Sequence, residues 1–576
     1  MVCVMFGYAG RLLEVDLSKN ITNVKNITQD FCREFLGGLG FASKLAFEIK
    51  RNADPLSPEN NLILAIGPLS GTPVPFSSGV VFATKSPLNN GFCYDILYGD
   101  FATEMRMAGY DAIVIKGKAE SLRFLYVSNN RRQIKDARQL IGKSPTECEI
   151  ILKDSLEDPF VKVASIGIAG EKMVECASVI SGQKMVGRGI GAVMGSKNLK
   201  AIAIRGTNRL NLAKPDELYA FSQKAIIDSK VLRGVDKNFG PLFDISQMNS
   251  ICALPTENFR KSAFQGVDKL VHKLNERYFV KVNACPSCPL ACEYVYKVDD
   301  EYGQIAVRLD YSAFWAFGPN CAIDHVESIL KATELCYFYG LDVTQTGGLI
   351  GFMMECSEEK LLMKEIQAGE LRFGDPNSLL KIIHDIGNRR DLGELLAKNP
   401  KSILNEIKNS DSLATCIKGF QLPGCDPRAS RAIALFYAVS PCADFPLAHG
   451  MSTVIAKKIL TQSDSTNAVV KLVKDCEDMI SILNSMVLCL RCEGIYGGLD
   501  KVAQAYTLAT GIEIDGEYLK KTGERINDRI RLFNVREGLN RDNDILPSKF
   551  FNGERALVKK EFELLLDAYY KERGWT

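Results

Sequence analysis

Histidine is scarce in this sequence, with four in 576 residues. That argues against a zinc or non-haem iron centre rich in imidazole. Neither sign of charge is in excess: 71 basic against 69 acidic side chains leave a net +2. Nothing in that balance points to a nucleic-acid partner. No stretch approaches the ~20 uninterrupted apolar residues of a membrane span. The start, Met1-Val-Cys-Val-Met-Phe-Gly, has neither the basic n-region nor the long apolar h-region of a signal peptide. A soluble cytoplasmic protein with no membrane partner is the expectation. Short-period repeats and low-complexity tracts are also absent.

Cysteine, by contrast, is plentiful at 18. Such a count would mean a disulfide scaffold in a short secreted chain. Spread over an enzyme-sized chain, it fits a reducing compartment. Three of these thiols fall within Cys285-Pro-Ser-Cys288-Pro-Leu-Ala-Cys292, spaced C-x2-C-x3-C, with two prolines stiffening the backbone. Thiolates this dense suggest metal binding. An iron–sulfur cluster usually takes four cysteine ligands, three of them often from one tight loop. The fourth must come from elsewhere, and the run Met486-Val-Leu-Cys489-Leu-Arg-Cys492 offers two candidates. A chain so equipped moves electrons singly, so some two-electron chemistry must feed it.

The length exceeds a single ordinary core and suggests roughly two to four domains. Apolar residues at 46% and charged residues at 24% are ordinary globular values. Residues 1–208 are rich in glycine and β-branched side chains. Leu12-Leu-Glu-Val-Asp, Asn61-Leu-Ile-Leu-Ala-Ile, Val80-Val-Phe-Ala-Thr, Ala112-Ile-Val-Ile and Ala201-Ile-Ala-Ile read as short strands. Gly167-Ile-Ala-Gly170-Glu171 and Gly187-Arg188-Gly189-Ile-Gly191-Ala-Val-Met-Gly195-Ser-Lys197-Asn198 are glycine-dense, and the second carries two cations. Glycine lets backbone approach a ligand and donate N–H groups to phosphate.

From residue 209 the apolar spacing turns helical, at Asp216 to Ser222 and from Val326 to Tyr339, where Gly340 reads as a stop. Leu362 to Leu371, Leu379 to Ile386, Ser402 to Ile407 and Val558 to Tyr570 continue in that style. A boundary is expected near 412. The sequence thus divides into 1–208, β-rich; 209–412, helical and carrying the cysteine loop; and 413–576, helical and carrying the fourth cysteine.

The motifs taken in order resemble the tungsten- or molybdenum-pterin aldehyde ferredoxin oxidoreductase family over nearly the whole chain. They run from Gly7-Tyr-Ala-Gly-Arg-Leu-Leu-Glu-Val-Asp through Phe35-Leu-Gly-Gly-Leu-Gly and Gly67-Pro-Leu-Ser-Gly-Thr-Pro. The Gly187 to Asn198 segment, the cysteine loop, Gly318-Pro-Asn-Cys321, Asp342-Val-Thr-Gln-Thr-Gly347 and Cys425-Asp-Pro-Arg428 follow. Arg531-Leu-Phe-Asn-Val-Arg-Glu-Gly closes the series. The resemblance implies an α+β fold in which a β-rich N-terminal domain cradles a pterin cofactor ahead of two mostly α-helical domains. It implies one tungsten or molybdenum held by two pyranopterins, beside a [4Fe-4S] cluster. The implied cluster ligands are Cys285, Cys288, Cys292 and Cys489. Cys489 is preferred to Cys492 because Asn484-Ser-Met-Val-Leu-Cys489 resembles a D-x-x-G-L-C pterin-binding pattern ending in the fourth ligand. The implied cofactor contacts are Arg188, Gly189, Asp342, Gly347, Asn484 and Leu488. The implied activity is oxidation of an aldehyde to a carboxylic acid, with electrons passed to ferredoxin or a small iron–sulfur subunit in an anaerobic host. Family members are often dimers, but this sequence shows no clear E-x-x-H pattern for a bridging metal.

Catalytic candidates follow from the same resemblance. Asp310, in Arg308-Leu-Asp310-Tyr-Ser312, matches a G-P-E-Y-E type pattern, with serine at its second acidic position. His449 lies four residues beyond the place where a histidine is expected. Cys321 is a candidate extra ligand, since a soft thiolate suits such a metal. Three departures stand out. Val80 replaces an arginine expected near pterin phosphates or a bridging Mg2+, Leu97-Tyr-Gly99-Asp100 replaces N-S-G-G, and Asn484 replaces an aspartate. They admit two alternatives: a reductase of an aromatic acyl-CoA, or a non-catalytic electron-relay subunit. Plainer readings also exist for single residues. Asp342 fits a helix cap, Asp426 before Pro427 a turn, His449 a structural histidine, and Asp310 an exposed carboxylate.

Overall fold

The computed structural model describes residues 5–129, 131–229, 242–300, 303–362, 371–443, 465–553 and 555–575. Two six-stranded sheets lie between Arg11 and Arg205. In the first, β1 (Arg11–Asp16), β2 (Ile21–Asn26), β3 (Leu62–Ile66), β4 (Gly79–Lys85), β5 (Phe92–Tyr98) and β6 (Ala112–Lys116) lie in the order β2-β1-β6-β3-β4-β5. The β1–β6 pair is parallel and the rest are antiparallel. Strands β3 and β4 are buried at every position. Strands covered on both faces read as unbroken apolar runs, which is why both are visible in the sequence.

The second sheet holds β7 (Arg123–Ser128), β8 (Arg131–Asp136), β9 (Lys162–Ile166), β10 (Val179–Ser181), β11 (Lys184–Val186) and β12 (Leu199–Arg205), ordered β11-β10-β9-β12-β7-β8. The five strands expected from the sequence fall in β1, β3, β4, β6 and β12. Edge strands β2 and β8 are largely polar, Ile-Thr-Asn-Val-Lys-Asn and Arg-Arg-Gln-Ile-Lys-Asp, because an edge tolerates charge. Strands β10 and β11 have three residues each, too few to show a period.

Beyond Pro215 the described residues are mostly helical, with two unexpected sheets, one of them only the short pair Cys416–Ile417 and Phe420–Gln421. Strands β13 (Phe279–Asn283), β14 (Glu293–Asp300) and β15 (Gly303–Arg308) pair antiparallel in that order. The cysteine loop is the connection between β13 and β14. The expected helices are present at Pro215–Asp228, Val326–Tyr339, Pro376–Asn388, Pro400–Glu406 and Lys559–Arg573. Gly340 closes the second of these in the left-handed region, at φ +70°. The helix expected between Leu362 and Leu371 falls almost wholly outside the described residues. Asp426 is the turn residue expected, accepting from Arg428 N–H at 2.8 Å. Among the described residues no single helix is long and apolar enough to cross a membrane.

One continuous cluster of buried apolar side chains runs from Tyr8 to Tyr570, so the β-rich and helical parts share a core. The helix Thr466–Met486 packs against the helices Gly38–Leu45, Gly516–Arg536 and Lys559–Arg573. Its C-terminal end presses on glycines of the β-rich part. A Cβ on Gly38 would stand 2.3 Å from the Asn484 carbonyl, and one on Gly67 would stand 2.4 Å from that of Met486. The helix ends at Val487 in the left-handed region, φ +53°. Cys489 N–H then donates to Phe76 O at 2.8 Å. Gly67→Ala is therefore expected to cost about 2 kcal/mol, because the atom it meets is backbone and cannot rotate away. The check is the thermal midpoint, and a midpoint equal to wild type would show that the helix end yields freely.

Candidate functional site

A cavity of about 300 Å³ is lined by residues of the two six-stranded sheets, the three-stranded sheet and the helix Thr466–Met486. Cys285, Cys288, Cys292 and Cys489 all line it. The loop that carries the first three is tightly folded: Cys288 N–H donates to Cys285 O at 3.0 Å. Ser287 and Ala291 adopt left-handed φ values of +56° and +49°. Two hydroxyls tie it to the segment before β4. Ser287 Oγ donates to Thr72 O at 3.2 Å, and Ser78 Oγ donates to Pro286 O at 2.6 Å. The bond from Cys489 N–H to Phe76 O anchors the fourth cysteine to that same segment.

Burial pushes the Cys489 thiol up to about 12, with Cys292 and Cys288 adding to it. Burial likewise raises Cys285 and Cys288. Among the described residues no three His, Cys, Asp or Glu side chains could share one metal ion. A four-iron cluster asks for a different arrangement, since each thiolate binds its own iron and the sulfurs stand apart around a space. Four cysteines around one cavity fit that donor set. Cys492 is buried and not among the lining residues. Cys321 is also buried off the cavity, its thiol 3.3 Å from Ala316 O.

Next to the cysteines, Lys184 Nζ lies 3.5 Å from Cys285 Sγ and 2.5 Å from Glu293 Oε1. Burial pulls the Lys184 ammonium down, but Cys285 and Glu293 outweigh it and hold it above the usual lysine value. Opposite, the Gly187–Arg188 turn is held by two carboxylates. Asp95 Oδ2 accepts from Gly187 N–H and Asp342 Oδ2 from Arg188 N–H, both at 2.9 Å. A Cβ on Gly187 would stand 2.0 Å from Asp342 Oδ2, so only glycine allows this approach. Asp342 also caps the helix Val343–Glu358, its Oδ1 accepting from Thr344 and Gln345 N–H at 2.9 and 3.0 Å. Its carboxyl is pushed up by burial, against the pull of the Arg188 and Gln345 donors. Arg188 Nη1 donates to Cys442 O at 2.9 Å.

Asn484 also lines the cavity, and its Nδ2 donates to Tyr94 Oη at 3.2 Å. Its Oδ1 is buried with no hydrogen-bond partner. Buried acceptors are almost always paired, so an orphan on a cavity wall suits a ligand with N–H donors, as a pterin has. Gly189, Gly347 and Leu488 are not among the lining residues. Gly189 packs against Glu175 O and Pro87, Gly347 against Ala316, and Leu488 N–H bonds Leu483 O. Asp310 lines the cavity, where Oδ1 caps the helix Tyr311–Phe317 through Ala313 N–H at 3.1 Å and Oδ2 pairs with Arg308 at 3.1 Å. His449 lies outside the described residues.

Sequence reasoning missed Asp95, Lys184, Glu293 and Arg308. An acidic residue inside an otherwise apolar strand, Phe92-Cys-Tyr-Asp95-Ile-Leu-Tyr, was a usable signal for the first. The others meet only through contacts between sheets and left no local trace.

Sequence profiles agree with this architecture. "Aldehyde ferredoxin oxidoreductase, N-terminal domain" matches residues 12–206, and "Aldehyde ferredoxin oxidoreductase, domains 2 & 3" matches residues 218–576. The tungsten-containing aldehyde ferredoxin oxidoreductase of Pyrococcus horikoshii is 32% identical, over 99% of this chain and 97% of that protein. The aliphatic sulfonate oxidoreductase WOR-like subunit of Pyrococcus furiosus is 28% identical, over 72% of this chain and 70% of its own. Among solved structures, the active site complex BamBC of benzoyl coenzyme A reductase with 1,5-dienoyl-CoA superposes with a TM-score of 0.89 at 25% identity. That match covers 100% of this chain and 95% of the other. Two profiles that together span nearly the whole sequence, and a relative of this identity and coverage, establish that the chain belongs to the aldehyde ferredoxin oxidoreductase family.

Proposed function

We propose that this protein is a tungsten- or molybdenum-bis-pterin oxidoreductase that oxidises an aldehyde to a carboxylic acid. Electrons then leave through a [4Fe-4S] cluster to ferredoxin or a small iron–sulfur protein. The observation that carries this reading is the convergence of Cys285, Cys288, Cys292 and the distant Cys489 on one cavity with Asp342, Arg188 and Asn484. When bound, the metal–pterin group supplies the two-electron chemistry and the cluster the one-electron exit.

The chain's own residues then have definite tasks. The four cysteines hold the cluster. Asn484 Oδ1 accepts from a pterin N–H, and Asp342 and Asp95 keep the Gly187–Arg188 backbone where it meets the cofactor. Asp310, fixed by Arg308 and by its capping bond, presents a carboxylate to the substrate side of the cavity for proton transfer. His449 remains the sequence's second candidate for that work.

A second reading keeps these cofactors and runs a reduction, of an aromatic acyl-CoA. The whole-chain likeness to BamBC favours it.

Metal and pterin analysis of anaerobically purified protein is expected to give about four irons, about one tungsten or molybdenum and about two pterins per chain. Iron alone would favour the relay-subunit alternative. Cys489→Ala is expected to lower the iron content, whereas Cys492→Ala keeps it; the reverse pattern would reassign the fourth ligand. Turnover of aldehydes with a ferredoxin or dye acceptor supports the first reading. Turnover confined to acyl-CoA thioesters replaces it with the second.

A further inference from the structure

Lys184 opens β11, the edge strand of the second sheet, yet its side chain ends against the third sheet's cysteine loop. Its ammonium donates to Cys285 Sγ at 3.5 Å and pairs with Glu293 Oε1 at 2.5 Å. The Lys184 and Glu293 side chains are 19% and 10% exposed, so water screens the pair little. Glu293 follows Cys292 directly and opens β14, so the loop itself fixes the carboxylate. Gly99, at φ +130°, leaves room for the lysine, since a Cβ there would stand 2.6 Å from Nζ.

Charge and hydrogen bonds at the ligand sulfurs are among the terms that set an iron–sulfur potential. We propose that Lys184 sets the reduction potential of the cluster bound through Cys285, and that Glu293 holds its ammonium against that sulfur. This rests on the cluster reading above. One electron arrives, no bond forms or breaks, and the proton stays on Nζ. The ammonium stabilises the added negative charge and raises the potential. The Glu293 carboxylate, 3.2 Å from Cys285 Sγ, acts in the opposite sense.

The experiment compares wild type with Lys184→Met, Lys184→Gln and Lys184→Arg, and Glu293→Gln with and without Lys184→Met, each purified anaerobically. Iron and sulfide are counted, and the cluster is titrated redox-potentiometrically with EPR detection. Lys184→Met is expected to keep its iron and titrate below wild type, Lys184→Arg to recover most of that shift, and Lys184→Met to shift less in a Glu293→Gln background, where the ammonium is no longer held against the sulfur. The proposal falls if Lys184→Met titrates with wild type, or if Lys184→Arg shifts as far as Lys184→Met. Should Lys184→Met take up no iron, Lys184→Gln decides: a downward shift supports the proposal, and titration with wild type overturns it. Wild-type protein without cluster iron overturns the cluster reading itself, and this proposal with it.

Discussion

The segment Thr72-Pro-Val-Pro-Phe-Ser-Ser78 holds the cavity together. It belongs to no strand, and its two prolines fix φ and carry no N–H. Its carbonyls are therefore open to partners from elsewhere. Thr72 O accepts from Ser287, Pro75 O from Tyr496 Oη at 3.0 Å, and Phe76 O from Cys489 N–H. Ser78 returns a bond to Pro286 O. Three remote pieces of chain thus take their register from seven consecutive residues. Gly38 and Gly67 allow it, because a side chain at either would push the Asn484–Met486 backbone away. Four cysteines from two remote segments face one cavity because of this arrangement, before any ligand contributes.

Most charge on the cavity wall is already engaged within the protein. Asp95 and Asp342 hold a backbone turn, Asp310 holds Arg308 and a helix end, and Glu293 holds Lys184. Glu477 accepts from Arg573 Nη2 at 2.8 Å and so fixes the wall to the C-terminal helix. Buried charge persists only when paired in this way. A ligand therefore meets fixed dipoles and a few open positions, of which Asn484 Oδ1 is the plainest. Such a wall needs little rearrangement when charge changes inside it.

What the sequence made legible follows from locality. The cysteine loop was readable because three cysteines lie within eight residues, and all three line the cavity with Cys489. Strands β3 and β4 were readable because burial on both faces leaves an apolar run. Asp342 was readable as a helix cap, and the structure shows the same carboxylate also holding the Arg188 turn. Gly189, Gly347 and Leu488 sit in motifs near the cavity, but burial direction is not written in a motif. The third sheet was missed because its strands flank the cysteine loop inside a stretch of helical texture. Lys184 and Glu293 stand on different sheets, and their pairing exists only once those sheets meet.

The replacement at Val80 and the position of Lys184 bear on each other. Val80 is wholly buried on β4, paired with Ile66 and Leu97. A cation there would have to reach an anion in place of water. With valine, this stretch of β4 is closed by apolar packing and stands without an anionic ligand. The Lys184 ammonium instead approaches from another sheet and carries its own carboxylate, so it too is satisfied without a ligand. Positive charge is thus placed against the cysteine loop, not at Val80. In a cavity of low dielectric, that placement acts most strongly on the sulfur nearest to it. The departures at Val80 and Leu97 are consistent with a stable fold because both side chains are buried.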